Sequence, residues 1–75
     1  MPYIAIKAYP KDEAIKQKVA EEINQVFLKY WGCPQEAITL SIEEIAPEAW
    51  VETVVKPEIE PNADKMLILS GEKKY

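Results

Sequence analysis

The length, composition and charge of this chain exclude several classes of protein. Its 75 residues are 48% apolar, which predicts one compact domain, residues 1–75, because low hydrophobicity is the usual mark of disorder. The net charge of −4 disfavours nucleic-acid binding. With one cysteine and no histidine, neither an internal disulfide nor a conventional zinc site is expected.

No segment of the sequence is typical of a membrane protein. The longest apolar run, residues 66–69, is too short to span a bilayer, and the N-terminus lacks the apolar region of a signal peptide. We therefore expect a cytoplasmic protein with no membrane partner. A chain of this size buries only about 60% of the surface that its unfolded form exposes, so we also expect it to associate with a further subunit.

Residues 2–8 predict the first strand. Ile4 and Ile6 would lie on one face, with Ala5 and Lys7 on the other, and this alternation is typical of a half-buried sheet. Pro10 interrupts the pattern, so the strand is expected to end before it.

A long amphipathic helix is predicted next, with Asp12 as its N-cap and Gly32 as its C-terminal stop. Its apolar residues recur at helical spacing, and they are Ile15, Val19, Ile23, Val26, Phe27 and Tyr30. The helix has about five turns, which is enough to cross over between two parallel strands.

A second strand is predicted at residues 37–44. Apolar residues at 38, 40 and 42 alternate there with polar residues at 39, 41 and 43, and the apolar face should pack against the long helix. The fold class is therefore α+β, with a β-α-β unit of two parallel strands and a right-handed crossover. Because two strands make a poor sheet, we expect two chains to pair into a four-stranded sheet covered by two helices.

The C-terminal part of the chain is predicted to be mainly helical. Pro47 fits the first position of a short helix, which Pro57 is expected to end. Pro61 could begin another helix that stops at Gly71, but residues 66–69 suit a short strand equally well.

The proline at position 2 suggests chemistry. Removal of Met1, which the short Pro2 side chain should permit, would expose a secondary amine that can carry or release a proton. A strand that begins at Pro2 would hold this amine rigidly at the end of a sheet, and proline is tolerated at the first position of a strand. The alternative interpretation is that a proline here only permits methionine removal and has no catalytic role.

Several of these features together resemble the 4-oxalocrotonate tautomerase superfamily. They are the Met-Pro start, the strand, the long helix, a Cys-Pro turn at 33–34, and a second alternating strand followed by the sequence EIAPEAW at 44–50. Residues 46–50 resemble most specifically the PptA branch, whose members are longer and more helical at the C-terminus. The resemblance covers residues 1–55 and implies a homodimer, although a hexamer would present the same unit.

What the resemblance implies is a cofactor-independent tautomerase, an isomerase whose amino-terminal proline, Pro2, acts as general base and acid. It would move a proton between an enol oxygen and a carbon of an enolpyruvate or a 2-hydroxydienoate. An ordinary α-amino group titrates at about 7.7 to 8.0. The pocket must therefore lower the pKa of the amine, through burial beside apolar groups or through a nearby lysine.

The resemblance also implies three substrate-binding positions. The family uses arginines for the substrate carboxylate and carbonyl, and this chain has no arginine. One of them falls near Lys11, which can act as a point charge but lacks the bidentate fork. The other falls at Thr39, whose hydroxyl could donate one hydrogen bond, and the aromatic wall of the pocket falls on Trp50.

Each of these positions also has a purely structural interpretation. Lys11 could be a solvated loop charge, Thr39 an outward-facing strand residue, and Trp50 a core or interface residue. Cys33 is not expected to be a nucleophile, because no histidine is present to activate it.

The small number of cations bears on the substrate. Only one candidate cation is available, so a monocarboxylate with an apolar or aromatic tail suits the pocket better than a dicarboxylate, and phenylenolpyruvate is the preferred probe. The alternative function is a noncatalytic ligand-binding or assembly protein that keeps the tautomerase fold, which the absence of arginine would favour.

Overall fold

Two parallel strands form the sheet of the first part of the molecule. The computed structural model describes residues 1–75 as two units, Met1–Ile45 and Ala46–Tyr75. In the first unit β1 (Tyr3–Ala8) pairs in parallel with β2 (Thr39–Glu44). A helix lies between them in the chain, so the predicted α+β class with a β-α-β unit is confirmed.

The register of β1 and β2 sorts their side chains onto two faces. Ile4 lies opposite Leu40 and Ile6 lies opposite Ile42, and all four are half-buried. The pairs on the other face are Tyr3 with Thr39, Ala5 with Ser41, and Lys7 with Glu43. The alternation read from the sequence is confirmed, because a shift of one residue would exchange the two faces.

The long helix begins where the sequence predicts it. α1 spans Glu13–Val26, and the Asp12 carboxylate caps it by accepting a hydrogen bond from the Ile15 N–H at 2.9 Å. The helix continues in wider, π-type turns through Phe27–Trp31. The Gly32 N–H closes this segment by donating a hydrogen bond to the Phe27 carbonyl at 3.2 Å. Gly32 has φ of +73°, a conformation that favours glycine at a helix end.

A single chain leaves much of the apolar surface of α1 exposed. Ile15, Val19 and Val26 are 44%, 41% and 50% exposed, and only Ile45 and Val54 are buried, at 7% and 6%. Burial of apolar surface is the main term that stabilises a fold. One chain by itself therefore has little to stabilise it, which is the physical reason to expect association.

The second unit begins with helical turns. A 3₁₀ turn at Pro47–Ala49 leads into α2, Val51–Ile59. The prediction that Pro57 ends this helix is wrong. The winding of α2 is π-type, with a bond from the Glu60 N–H to the Val55 carbonyl, and this wider turn accommodates a proline ring that would clash with the preceding turn of an ordinary α-helix.

The chain ends in a small hairpin. A 3₁₀ segment at Glu60–Lys65 precedes β3 (Ile68–Leu69), which pairs antiparallel with β4 (Glu72–Lys73). Of the two possibilities that the sequence left open for residues 66–69, the short strand is therefore the correct one. The C-terminal part is helical only as far as residue 65.

A two-residue turn joins β3 to β4. Ser70 and Gly71 have φ of +50° and +84°, and positive φ at both central residues is what a type I′ hairpin turn requires. Glycine adopts such a conformation without a steric penalty. The Lys74 N–H extends the hairpin by donating to the Leu67 carbonyl at 2.7 Å.

Two kinds of feature are absent from the structure. No helix has both the length and the apolar character that crossing a bilayer requires. No group of three or more His, Cys, Asp or Glu side chains is arranged to hold a metal ion.

Candidate active site

Pro2 lies at the amino end of the sheet, immediately before β1. Its carbonyl accepts a hydrogen bond from the Thr39 N–H at 3.2 Å, so Pro2 is held by the ladder although the strand itself begins one residue later. Its side chain is half-buried. The residue before Pro2 is also held, because the Met1 ammonium donates a hydrogen bond to the Ala37 carbonyl at 2.9 Å. The backbone around Pro2 is therefore held on both sides.

Thr39 is joined to Pro2 through the backbone and not through its hydroxyl. The register places Thr39 opposite Tyr3, on the exposed face of the sheet. By alternation Pro2 shares the face of Ile4, because side chains two residues apart on a strand point the same way. Within one chain the Thr39 side chain therefore points away from the face that carries the proline ring.

Lys11 lies beyond the opposite end of β1 from Pro2. The six steps from Pro2 to Ala8 span about 20 Å at the usual rise of a strand. The Lys11 side chain is exposed and takes part in none of the ion pairs of the first unit. It lines a cavity of about 90 Å³ whose other walls are mainly aliphatic side chains of β1, α1 and β2. An accessible cation beside an apolar cavity suits a carboxylate with an apolar tail.

Glu44 holds the loop that carries Lys11. Its Oε2 accepts a hydrogen bond from the Lys11 N–H at 3.1 Å and lies 3.1 Å from the Lys16 ammonium. The hydrogen bond from Lys16, and then the one from the Lys11 N–H, lower the pKa of Glu44 below its ordinary 4.5. The hydrogen bond to Glu44, and then the charge of Glu13, raise the pKa of Lys16 above 10.5, against the effect of its own desolvation. Sequence reasoning missed Glu44, because its partners are distant in the chain.

Glu44→Gln should make the stability of the protein less sensitive to acid. The pKa of Glu44 is lowered in the folded state, so the ionised carboxylate stabilises the fold above its unfolded pKa, and this contribution is lost as pH falls through the lowered folded pKa. We therefore expect the variant to be less stable than the wild type at pH 7, with a smaller difference at pH 3. Urea unfolding at both pH values measures this.

The matched control for this measurement is Glu22→Gln, which changes an exposed glutamate of α1 that makes no ion pair. It should leave the unfolding midpoint nearly unchanged at both pH values. A Glu44→Gln protein whose deficit is the same at pH 7 and pH 3 would contradict the assigned role of the Glu44 carboxylate.

Trp50 belongs to the second unit, between the 3₁₀ turn and α2. Its side chain is half-buried, whereas Trp31 is 70% exposed. A half-buried tryptophan is compatible with a pocket wall and with a packing role. The aromatic-wall assignment stays a prediction.

Comparison with known proteins covers nearly the whole chain. No protein-family model matches it. The chain is 34% identical over 68 residues to Tautomerase PptA of Pectobacterium atrosepticum and 32% identical over 68 residues to Tautomerase PptA of Cronobacter sakazakii, which is 88% of this chain and 90% of each relative. To Tautomerase PptA of Shigella sonnei it is 30% identical over 73 residues, 95% of this chain and 96% of the relative. The chain belongs to the tautomerase superfamily.

Membership of this superfamily confirms the resemblance that the Met-Pro start and residues 44–50 predicted. It also extends the resemblance beyond residue 55, because the matched stretches cover 88% to 95% of the chain. The roles of Pro2, Lys11, Thr39 and Trp50 stay predictions, because overall identity does not test individual side chains.

The first unit does not bring all of its predicted site residues together. Pro2 and Thr39 lie together at the amino end of the sheet, and Lys11 lies beyond the carboxyl end. Pro2 lines none of the cavities beside α1. Within the first unit, Pro2 and Lys11 therefore do not form one site.

Proposed function

We propose that this protein is a cofactor-independent tautomerase, an isomerase of the intramolecular oxidoreductase class, in which Met1 is removed and the free amine of Pro2 acts as general base and acid. Its substrates are enolpyruvate or 2-hydroxydienoate carboxylates. The observation that carries this proposal is the placement of Pro2 at the first ladder position of the sheet, in a chain that belongs to the tautomerase superfamily.

The proposed reaction needs only one group that can take and return a proton. The neutral amine of Pro2 takes the proton of the enol hydroxyl, the enol oxygen becomes the carbonyl as the double bond shifts, and the ammonium gives a proton to the neighbouring carbon. Atoms and charge balance without a co-reactant. Holding Pro2 in the ladder restricts the amine to one orientation, which favours proton transfer to a bound substrate.

We propose that two chains complete the site as a homodimer. The ladder bonds of β1 use the carbonyls of Pro2 and Ala8, so by alternation the N–H groups of Tyr3 and Ala5 point to the open edge of the sheet. Antiparallel pairing of two such edges makes a four-stranded sheet. It also places the amino end of one β1 beside the carboxyl end of the other, so that the partner's Lys11 approaches Pro2.

The surroundings of Lys11 favour a monocarboxylate with an apolar tail. The chain has no arginine. Two lysines line the mainly aliphatic cavity, but Lys16 is paired with Glu13 and Glu44, so Lys11 is the cation left to bind a carboxylate. A dicarboxylate would need a second cation. Phenylenolpyruvate, which has one carboxylate and a phenyl ring, is therefore the probe of choice.

The noncatalytic alternative rests only on the absence of arginine. Lys11 supplies an accessible cation in its place, and the relatives that cover most of the chain are named as tautomerases. This alternative is therefore not favoured.

The test of the proposed function is the ketonisation of phenylenolpyruvate by protein whose intact mass shows that Met1 has been removed. Turnover above the buffer rate, with a pH profile controlled by a single base, is the expected result. Material that retains Met1 should be inactive, because its Pro2 nitrogen is in a peptide bond and has no basic lone pair to accept a proton. No turnover by the processed protein would exclude phenylenolpyruvate as a substrate and would favour a different substrate or the noncatalytic alternative.

Lys11→Ala should raise the KM for phenylenolpyruvate about tenfold and change kcat less than about twofold. The lysine contributes a charge-assisted contact to the carboxylate that is equally present in the bound substrate and in the transition state. Steady-state kinetics measures both constants. The matched control is Lys18→Ala, an exposed lysine of α1 that makes no ion pair, and an unchanged KM in Lys11→Ala would remove Lys11 from the site.

A further inference from the structure

The parallel ladder identifies a hydrogen-bond acceptor for the nitrogen of residue 2. The Pro2 carbonyl accepts from the Thr39 N–H at 3.2 Å, and the Ala8 carbonyl accepts from the Ile45 N–H at 2.9 Å. In a parallel ladder the C=O and the N–H of one residue both bond to the neighbouring strand, to residues that are two positions apart. The ladder acceptor for the nitrogen of Pro2 is therefore the carbonyl of Ala37.

A proline in a peptide bond cannot use this acceptor. Pro2 has no N–H while Met1 is attached, and the Met1 ammonium donates to the Ala37 carbonyl instead, at 2.9 Å. Removal of Met1 deletes that donor and gives the Pro2 nitrogen a hydrogen of its own. The new donor then lies at the ladder position whose acceptor has lost its partner.

We propose that in the processed protein the Pro2 amine donates a hydrogen bond to the Ala37 carbonyl, and that this bond fixes the direction of the amine lone pair. The inference rests on the proposed function. A neutral secondary amine has one N–H and one lone pair, so an N–H held on the Ala37 carbonyl leaves the lone pair directed out of the ladder. In the ammonium form the second N–H occupies that direction and is the one returned to the substrate carbon. Ala37 is thus a positioning residue.

The turn that carries this carbonyl is itself held in place. Ala37 ends a 3₁₀ turn, and its N–H donates to the Pro34 carbonyl at 3.1 Å. Two amide hydrogen bonds, at 2.9 Å and 2.8 Å, join the side chains of Asn24 on α1 and Gln35 on the turn. The orientation of the carbonyl is therefore set before a substrate arrives, which is the condition for a preorganised site.

The test is a synthetic protein that begins at Pro2 and carries sulfur in place of the Ala37 carbonyl oxygen. A thioamide is a weaker acceptor and keeps the Ile38 N–H that bonds to Gln35. NMR titration of ¹⁵N-labelled Pro2 reads the amine directly. Because an acceptor favours the ammonium form, we expect the pKa of Pro2 to fall by about half a unit and kcat to fall about tenfold, with KM little changed.

The matched control carries the same replacement at Ala63, whose carbonyl accepts from the Met66 N–H at 3.3 Å in the second unit. It should titrate and turn over like the all-oxygen protein. The titratable side chains next in sequence to the two groups, Tyr3 and Glu36, are the same in all three proteins.

An unchanged Pro2 titration in the Ala37 thioamide protein overturns the inference. A shifted titration with a proportionate loss of kcat supports both the hydrogen bond and its role in the reaction. A shifted titration in proteins that all fail to turn over phenylenolpyruvate supports the hydrogen bond and counts against the proposed function. Failure of the hydrogen-bond inference and failure of the proposed function therefore give different results.

Discussion

Pro2→Ala should lower kcat/KM for the ketonisation of phenylenolpyruvate about a hundredfold, because it removes the rigid secondary amine that is proposed to transfer the proton. Alanine at position 2 also permits removal of Met1, so the variant ends in a primary amine, in which a second N–H and the lone pair can exchange places. Some base remains, but its lone pair is no longer held in one direction. Steady-state kinetics on protein of confirmed intact mass measures the loss.

The control for this variant is another proline with no part in the site. Pro61 lies in the first turn of the 3₁₀ segment Glu60–Lys65. The backbone N–H that a proline lacks has no helical partner at this position, so Pro61→Ala should retain wild-type kinetics. Wild-type turnover by processed Pro2→Ala protein would remove Pro2 from the mechanism, whatever the substrate proves to be.

Ala5→Pro should dissociate the proposed homodimer and abolish the proposed activity with it. The N–H of Ala5 points to the open edge of β1 and takes no part in the pairing with β2, so proline there leaves the ladder of one chain intact. It removes a donor that pairing with a second β1 would use. Sedimentation should show a fall from a mass twice that of the 8.6 kDa chain to that of one chain.

Activity should fall together with the mass, because the proposed site takes Lys11 from the partner. The matched control is Ala5→Ser, which keeps the N–H and places a hydroxyl on the exposed face. It should remain dimeric and active. An Ala5→Pro protein that stays dimeric would show that the β1 edge is not the interface, and a wild-type mass near six chains would replace the dimer by a hexamer.

The two variants separate chemistry from assembly. Pro2→Ala should lose activity without a change in mass, whereas Ala5→Pro should lose both. Loss of both properties in Pro2→Ala would place Pro2 in the subunit interface, and the kinetic result could then no longer be assigned to proton transfer.

Local patterns were enough to predict most of the first unit. The alternation at 38, 40 and 42 predicted β2, and Asp12 and Gly32 predicted the ends of the long helix. These features depend on residues close in sequence, namely a cap that bonds three positions on and a glycine that adopts positive φ. The prediction that Pro57 ends its helix failed. Whether a proline ends a helix depends on the winding of the turns around it, and the π-type winding of α2 cannot be read from the proline alone.

The candidate site was only partly predictable for a different reason. Pro2 could be chosen because its chemistry follows from its place in the sequence, and the family resemblance supplied Lys11, Thr39 and Trp50. Glu44 and the Ala37 carbonyl could not be chosen. Their partners are 33 and 36 residues away, and no periodicity along the chain records such contacts.

The β-α-β unit, the α+β class and membership of the tautomerase superfamily could all be predicted from the order of the residues, because they follow from side-chain alternation, helical spacing and a resemblance carried by short motifs. The positions of Pro2 and Lys11 at opposite ends of one sheet, and of the Ala37 carbonyl beside the chain terminus, became visible only in the folded molecule. The physical reason is the register of the parallel ladder, which depends on hydrogen bonds between strands that are distant in sequence.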